Sequence, residues 1–476
     1  MLASPDDGDL LMVYSLDRRT LIAAAGPAIL GTANAQELLS IQLIPGSPSS
    51  DSRPDVTRLL QRAFDQLPAV GGTVFLPAGA YRLSSTVSNR GKPVRLIGSG
   101  RGSTSLEIAN ATDDMLLFRG HEPCTISDLT IRTASNVVRT SGAYIVFDPG
   151  PGVINYSSSI ERISLYDYFV GIDFRRCSDF KLRDSTLIGG SGAHAAILVA
   201  NLTNADSGDS SISGSYINGG GGACILQRSS GGLRLTNLKL NGGTIGYHCN
   251  LSNTDAGTSD LLMSVISIEN MTQAGVLLDR VAGDRSIFTY VNIEGVQFSN
   301  CPRAIEVIDG GTTFYDVNIR SCMIAVPIGG TGIMLNGGNT VTVSEVMFDA
   351  IGRKGNAIDI GPACVNAVVG HNAYRNFPDS PIHDRNGNVT LMQRSMSFTG
   401  SAKTNRPHGS FYLGESEVSF PGGTFLSPPH VIVGVGGDGA FGRLKSGSLT
   451  RTGCRVEIFG FVSGNPVPFT ILATGI

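Results

Sequence analysis

The chain contains no tryptophan, little charge and no long apolar run. Charged residues make up 16% of its 476 positions and the formal net charge is −3. That balance gives no hint of nucleic acid as a partner, which normally needs a basic face, and no such partner is expected. No apolar stretch reaches the roughly 18 residues of a membrane span. The eight cysteines (124, 177, 224, 249, 301, 322, 364, 454) include no C-x-x-C pair, and the seven histidines form no pair at metal-ligand spacing. That argues against a zinc site, and no cofactor is implied.

Glycine and a steady supply of apolar residues are what the chain does have. Gly is 61 of 476 and hydrophobic residues are 41%, the composition of a turn-rich all-β chain with material for a long core. A repeat runs from Met115 to His383 in which a small residue precedes a β-branched or aromatic one. The pairs are Gly171-Ile172, Ala196-Ile197, Cys224-Ile225, Gly246-Tyr247, Gly275-Val276, Ala304-Ile305, Gly332-Ile333 and Ala357-Ile358, at separations of 22 to 29 residues. A second apolar stretch precedes each pair, as in Leu238/Leu240, Ile266/Ile268 and Val346/Phe348, and polar turns such as Asn241-Gly242-Gly243 follow it. Units of this kind bury their apolar faces only by stacking on one another. Short strands with period-2 alternation and no helical periodicity predict a right-handed parallel β-helix of about ten coils. In such a solenoid the cysteines read as small core residues, with one or two disulfides open to them if the protein is exported.

Residues 1–35 read as a signal peptide. Arg18-Arg19 begins a short apolar stretch through Leu30, and Ala33-Asn34-Ala35 supplies a small-x-small cleavage site. The paired arginines are twin-arginine-like, and the location expected is secreted or periplasmic. Residues 36–110 read as an N-terminal cap. Asp55 is placed to N-cap a helix whose one stripe carries Val56, Leu59, Leu60, Ala63, Phe64 and Leu67, and which ends before Pro68. The β-helix is expected over 111–390, a linker over 391–410 and a small β-sandwich over 411–476.

The run from Asp55 to Gly98, with Gly71-Gly72-Thr73-Val74-Phe75-Leu76-Pro77-Ala78-Gly79-Ala80-Tyr81 and Val94-Arg95-Leu96-Ile97-Gly98, resembles the opening of the pectate-lyase-like superfamily. That superfamily includes rhamnogalacturonase- and epimerase-like enzymes and phage tailspikes. The resemblance implies a right-handed β-helix that binds a polysaccharide along its side. Lyases, hydrolases, epimerases and non-catalytic binders share that scaffold, so it leaves the reaction open. The C-terminal stretch is similar to H-type lectin and phage-fibre tip modules, which implies either sugar binding or trimerisation. Ile471 stands where those modules carry a tryptophan. The long β-helix with such a tip is similar to trimeric fibres, and a homotrimer is expected.

Side chains that point outward from adjacent coils lie one strand spacing apart, so residues about 25 positions apart can act together. Aligning the second strand on Leu165, Leu187, Ile217, Leu240, Ile268, Phe298, Met323, Phe348 and Tyr374 brings out two groups. The first, taken as the catalytic candidate, is Arg320, Glu345, Asp349, His371 and Arg375. Its carboxylates suit glycoside hydrolysis, while an arginine with His371 suits β-elimination from a uronate. The alternative group is Arg162, Tyr166, Asp173, Asp184 and His194, in which Tyr and His suit the base and acid of a metal-free lyase. A third set, Glu269, Asp279, Glu294, Glu306 and Asp309, reads as an acidic face without a basic partner. The function expected is an exported polysaccharide depolymerase, a lyase ahead of a hydrolase. A tailspike-like, non-catalytic adhesin is the rival from another class.

Overall fold

The computed structural model describes residues 11–15, 39–43 and 55–475, except 200–207, 229–230, 252–257, 281–286, 309–312 and short stretches beyond 377. Arg18, Arg19 and Ala33–Ala35 of the expected leader lie outside the described residues. Leu11–Ser15, within that leader, pairs antiparallel with Leu39–Leu43. The chain divides into two compact units, Met1–Val291 and Asn292–Ile476.

In the first unit the helix Thr57–Gln66 precedes the strand Gly72–Leu76, and none of the described helices is long and apolar enough to cross a membrane. Leu60, Ala63 and Phe64 are almost wholly buried along the expected stripe. The helix boundary falls at Val56, one residue later than the cap read from the sequence. Asp55 Oδ1 still accepts the Thr57 N–H at 2.9 Å, so an orphan donor of the first turn is satisfied. Three parallel stacks follow, and together they form the right-handed parallel β-helix. The first stack runs through Gly72–Leu76, Val94–Gly98 and Thr125–Ser127, and the second through Gly79–Leu83, Thr104–Ile108 and Thr130–Thr133. The third runs through Ala143–Phe147, Val170–Phe174, Ala195–Val199 and Ala223–Gln227. The parallel ladder thus begins within 36–110, and the cap is narrower than expected.

The small residue of each repeat sits where a coil turns into the third stack. A Cβ on Gly171 would meet the carbonyl of Ala196 at 2.5 Å, and one on Gly246 would meet that of Gly275 at 2.6 Å. At these two glycines the next coil's backbone passes too close for a side chain, while Ala196 and Cys224 fit small buried ones at the equivalent position. The β-branched partner, such as Ile172 or Ile197, then points into the core and is fully buried. Phe118, Phe147 and Phe174 stack at 5.2 Å between successive rings. Each buried ring contributes on the order of 2–3 kcal/mol.

Between the first and second stacks each coil bends at one residue with positive φ: Asp128 (61°), Arg162 (51°), Asp184 (52°), Gly214 (60°), Asn237 (51°) and Val265 (55°). This is the position three before the aligned apolar residue. The column read from the sequence as outward strand positions is therefore a column of left-handed bends.

The second unit repeats the plan. Its stacks include Tyr315–Arg320 with Asn339–Ser344, Met323–Val326 with Met347–Ala350, and Thr331–Leu335 with Asn356–Ile360. Phe348 pairs with Ile324, not with Met323, so the sequence alignment is one residue out in that coil. The bend positions are then Gly295, Ser321 and Glu345 (φ 63°, 52° and 57°), and Arg320 falls on the strand before its bend. The coils end at Thr390–Leu391, which pairs with Val365–Val369. Two antiparallel sheets then form the C-terminal module. Arg394–Lys403 pairs with Pro466–Gly475, and Arg406–His408 pairs with Phe411–Ser419. The expected linker at 391–410 thus contributes strands to both sheets. All eight cysteines are buried free thiols.

Candidate active groove

The outer face of the third stack in the first unit carries a groove. Tyr247 points inward, is fully buried and donates from its hydroxyl to Gln227 Oε1 at 2.7 Å. Strand alternation then turns His248 outward. His248 Nε2 lies 3.0 Å from Asp279 Oδ1, and Asn250 Nδ2 donates to the same oxygen at 2.7 Å. The coil register sets this contact, because Asn250 pairs directly with Asp279. His194 stands at the corner just before Ala195. Its N–H donates to the Phe169 carbonyl at 2.8 Å, and its ring stacks on Phe169 with centroids 5.8 Å apart.

His194, His248, Arg228, Thr244 and Asn250 line a cavity of about 260 Å³, together with Gly221 and Gly222. The two glycines are required there. A Cβ on Gly222 would stand 2.0 Å from the His194 carbonyl, and one on Gly221 would stand 2.0 Å from that of Ser191. Partial burial, and then the positive fields of Arg228 and His248, lower the His194 pKa from its ordinary 6.5. The groove therefore joins an imidazole held neutral at neutral pH, a guanidinium, and a second imidazole fixed by a carboxylate. Among the described residues no three of His, Cys, Asp or Glu gather to hold a metal ion.

The structure separates most of the alternative group. Arg162 forms a two-bond pair with Asp128, both contacts at 2.7 Å. Tyr166 lies half-buried with the Arg132 guanidinium 6.0 Å from its ring centroid. Asp173 is buried on Arg175 at 2.9 Å, and Arg175 also reaches Asp114 at 2.6 Å and Asp148 at 3.3 Å. Asp184 is an exposed bend residue whose carbonyl accepts from Arg101 at 3.2 Å. Only His194 of that group enters the groove.

Of the first group, Arg320 is bound to Glu294 at 2.8 Å. Glu345 accepts from Ser321 Oγ at 2.9 Å, and its N–H donates to the carbonyl of His371. Asp349 pairs in register with Arg375 and accepts from Asn376 Nδ2 at 2.7 Å. Glu345, His371 and Arg375 are exposed.

The acidic set does have basic partners, which corrects the expectation for it. Glu269 meets Lys239 at 3.1 Å, Glu294 meets Arg320, and Glu306 meets Arg303 at 2.9 Å. Asp309 lies outside the described residues. Its remaining member, Asp279, holds His248 and Asn250, which line the groove. Neither His248 nor Arg228 was singled out from the sequence. The residue just after each repeat pair, the column Asp173, Leu198, Leu226, His248, Leu277, was the signal that could have found His248.

Residues 49–327 match the family model described as rhamnogalacturonase A/epimerase, pectate lyase-like. The chain is 30% identical over 132 residues to alginate lyase 7 of Azotobacter vinelandii, a match covering 24% of this chain and only 15% of that lyase. Among solved structures, the A-module of mannuronan C-5 epimerase AlgE6 from Azotobacter vinelandii is 16% identical with a TM-score of 0.58. The match covers 72% of this chain and 95% of that one. The catalytic domain of a GH87 alpha-1,3-glucanase in complex with nigerose is 13% identical with a TM-score of 0.53, covering 77% of this chain and 70% of that one. At these identities the likeness to both structures is one of fold.

Proposed function

The chain belongs to the rhamnogalacturonase A/epimerase, pectate lyase-like family, and on that premise we propose that it is a polysaccharide lyase acting by β-elimination in the groove at His194. One observation carries the reading. A histidine whose pKa is lowered shares a single cavity with a guanidinium and with a second histidine that a carboxylate holds. The matched stretch of the family also contains this groove and ends before Glu345. The likeness to an alginate lyase, short as it is, is in accord with a uronate-containing substrate.

In this reaction Arg228 pairs with the uronate carboxylate and makes the neighbouring C5 proton more acidic. His194, neutral, takes that proton, and the electron pair forms the C4–C5 double bond as the C4–O bond breaks. His248, oriented by Asp279, gives a proton to the departing oxygen. Hydrolysis needs two carboxylates free to act across the scissile bond. Among the described residues of the first unit, Asp114, Asp148 and Asp173 gather on Arg175, and Asp128 and Glu161 on Arg162, so each of these carboxylates is engaged by a guanidinium. Export, read from Arg18-Arg19 and Ala33–Ala35, places the substrate outside the cytoplasm.

Incubation with a panel of uronate-containing and neutral polysaccharides tests the reading. New chain ends should appear together with the ultraviolet absorbance of unsaturated uronate. Ends without that absorbance point to hydrolysis, and a panel left intact points to a binding protein.

A further inference from the structure

The core beneath the groove departs from the apolar columns of the third stack. Gln227 pairs in register with Val199 on one coil and Cys249 on the next. Tyr247 pairs likewise with Ile225 and Val276. Gln227 and Tyr247 are both fully buried. Polar groups in such columns cost desolvation unless their hydrogen bonds are made. Here they are made. The Tyr247 hydroxyl donates to Gln227 Oε1 at 2.7 Å, and Gln227 Nε2 donates to the Gly231 carbonyl at 3.2 Å. The Cys249 thiol borders the same phenol, and burial pushes the Tyr247 pKa well above 10, so its hydroxyl remains protonated at working pH.

Each partner stands directly before a groove residue. Gln227 precedes Arg228 and Tyr247 precedes His248, and both of the following residues line the cavity. The Tyr247–Gln227 bond therefore ties the strand of His248 to that of Arg228 from the core side. The Gln227–Gly231 bond brackets Arg228, whose N–H donates to the Val199 carbonyl at 3.0 Å. We propose that Tyr247 and Gln227 are positioning residues whose hydrogen bond fixes Arg228 and His248 at the spacing needed to act on one sugar residue. The inference rests on the elimination reading for what those two groups do. Two aliphatic side chains would fill the same volume, but apolar burial has no direction, whereas a hydrogen bond holds a distance and an angle. A buried polar pair placed under the acting groups thus sets geometry where apolar packing alone would not.

A double variant, Gln227→Leu with Tyr247→Phe, tests the proposal. It makes both partners of the bond apolar and strands neither, so the melting temperature should stay close to wild type. kcat/KM on a uronate polymer should nevertheless fall roughly tenfold or more, because a small displacement of acting groups costs that much. The imidazole magnetic-resonance signal of His248 in histidine-labelled protein, identified by its loss in His248→Gln, should broaden or split as the ring leaves its single position. Tyr81→Phe is the control. It removes a fully buried hydroxyl that donates to the Pro77 carbonyl at 3.0 Å on an early coil, and should leave rate and signal unchanged. Tyr247→Phe alone, which keeps the ring, carries the same test should the double variant not fold. A folded variant with wild-type rate or an undisturbed His248 signal overturns the proposal. So does a rate that falls only in step with the melting temperature, or the same losses in Tyr81→Phe. The signal needs no turnover, so a wild type that yields no unsaturated product, with the His248 signal still disturbed in the variant, refutes the elimination reading and keeps the positioning pair.

Discussion

Nε2 of His248 lies 3.0 Å from Oδ1 of Asp279, 31 residues later in the chain and one coil away in space. The parallel register makes these residues neighbours, and the Asn250 contact to the same oxygen fixes the carboxylate between two donors. The stacked coils thus supply an oriented imidazole without any local sequence motif.

His194 accepts a proton only when neutral. Because its pKa is lowered from 6.5, its neutral fraction grows as pH rises through a value under 6.5. kcat/KM on a uronate polymer should rise with pH and level off, with the midpoint of the acid limb below 6.5. Arg228→Gln removes one of the positive fields and should move that midpoint upward. A limb centred above 6.5 speaks against His194 as the base.

Asp279→Asn keeps the shape of the side chain but loses the charge that holds His248. Turnover should fall by roughly tenfold or more, since a proton donor in position typically contributes 10²-fold and its orientation is part of that. The melting temperature should change little at this partly exposed site. An unchanged kcat in the folded variant would remove His248 from the reaction.

Val265 is 68% exposed and holds φ 55°, a left-handed bend that a β-branched side chain adopts only at a cost of about 1–2 kcal/mol. The corresponding bend at Asn237 shows which residue suits the position. Val265→Asn should stabilise the protein by about 1 kcal/mol, seen as a raised denaturant midpoint with an unchanged m-value. A lowered midpoint contradicts the strain assigned to this bend.

The repeat was legible because packing enforces it. A corner residue such as Gly171 has no room for a side chain beside the Ala196 carbonyl, and Ile172 must fill the core. The capping helix was legible for the same reason, through Leu60, Ala63 and Phe64. What escaped the sequence was conformation at bends and small errors of register. Glu345, Asp184 and Arg162 look like strand residues in the primary structure, yet each adopts positive φ. A polar residue in such a column is placed there for its tolerance of the turn. Ile324, not Met323, meets Phe348, and that single step moves Arg320 out of the column with Glu345 and onto Glu294. His248 and Arg228 follow core residues and carry no motif, so only the coil register brings them to His194.

Assembly is a separate question. The expected homotrimer, tied to the C-terminal module, should appear as a threefold mass in light scattering, and deletion of residues 396–476 should weaken it. A stable monomer of the full chain contradicts it.

The most direct test of the site is a pair of variants assayed on one uronate polymer. His194→Gln is expected to lower kcat by about 10²-fold or more, while Glu345→Gln, at an exposed bend in the second unit, is expected to keep wild-type turnover. Loss of activity in Glu345→Gln with full activity in His194→Gln would contradict the groove and move the chemistry to Glu345, Asp349 and His371.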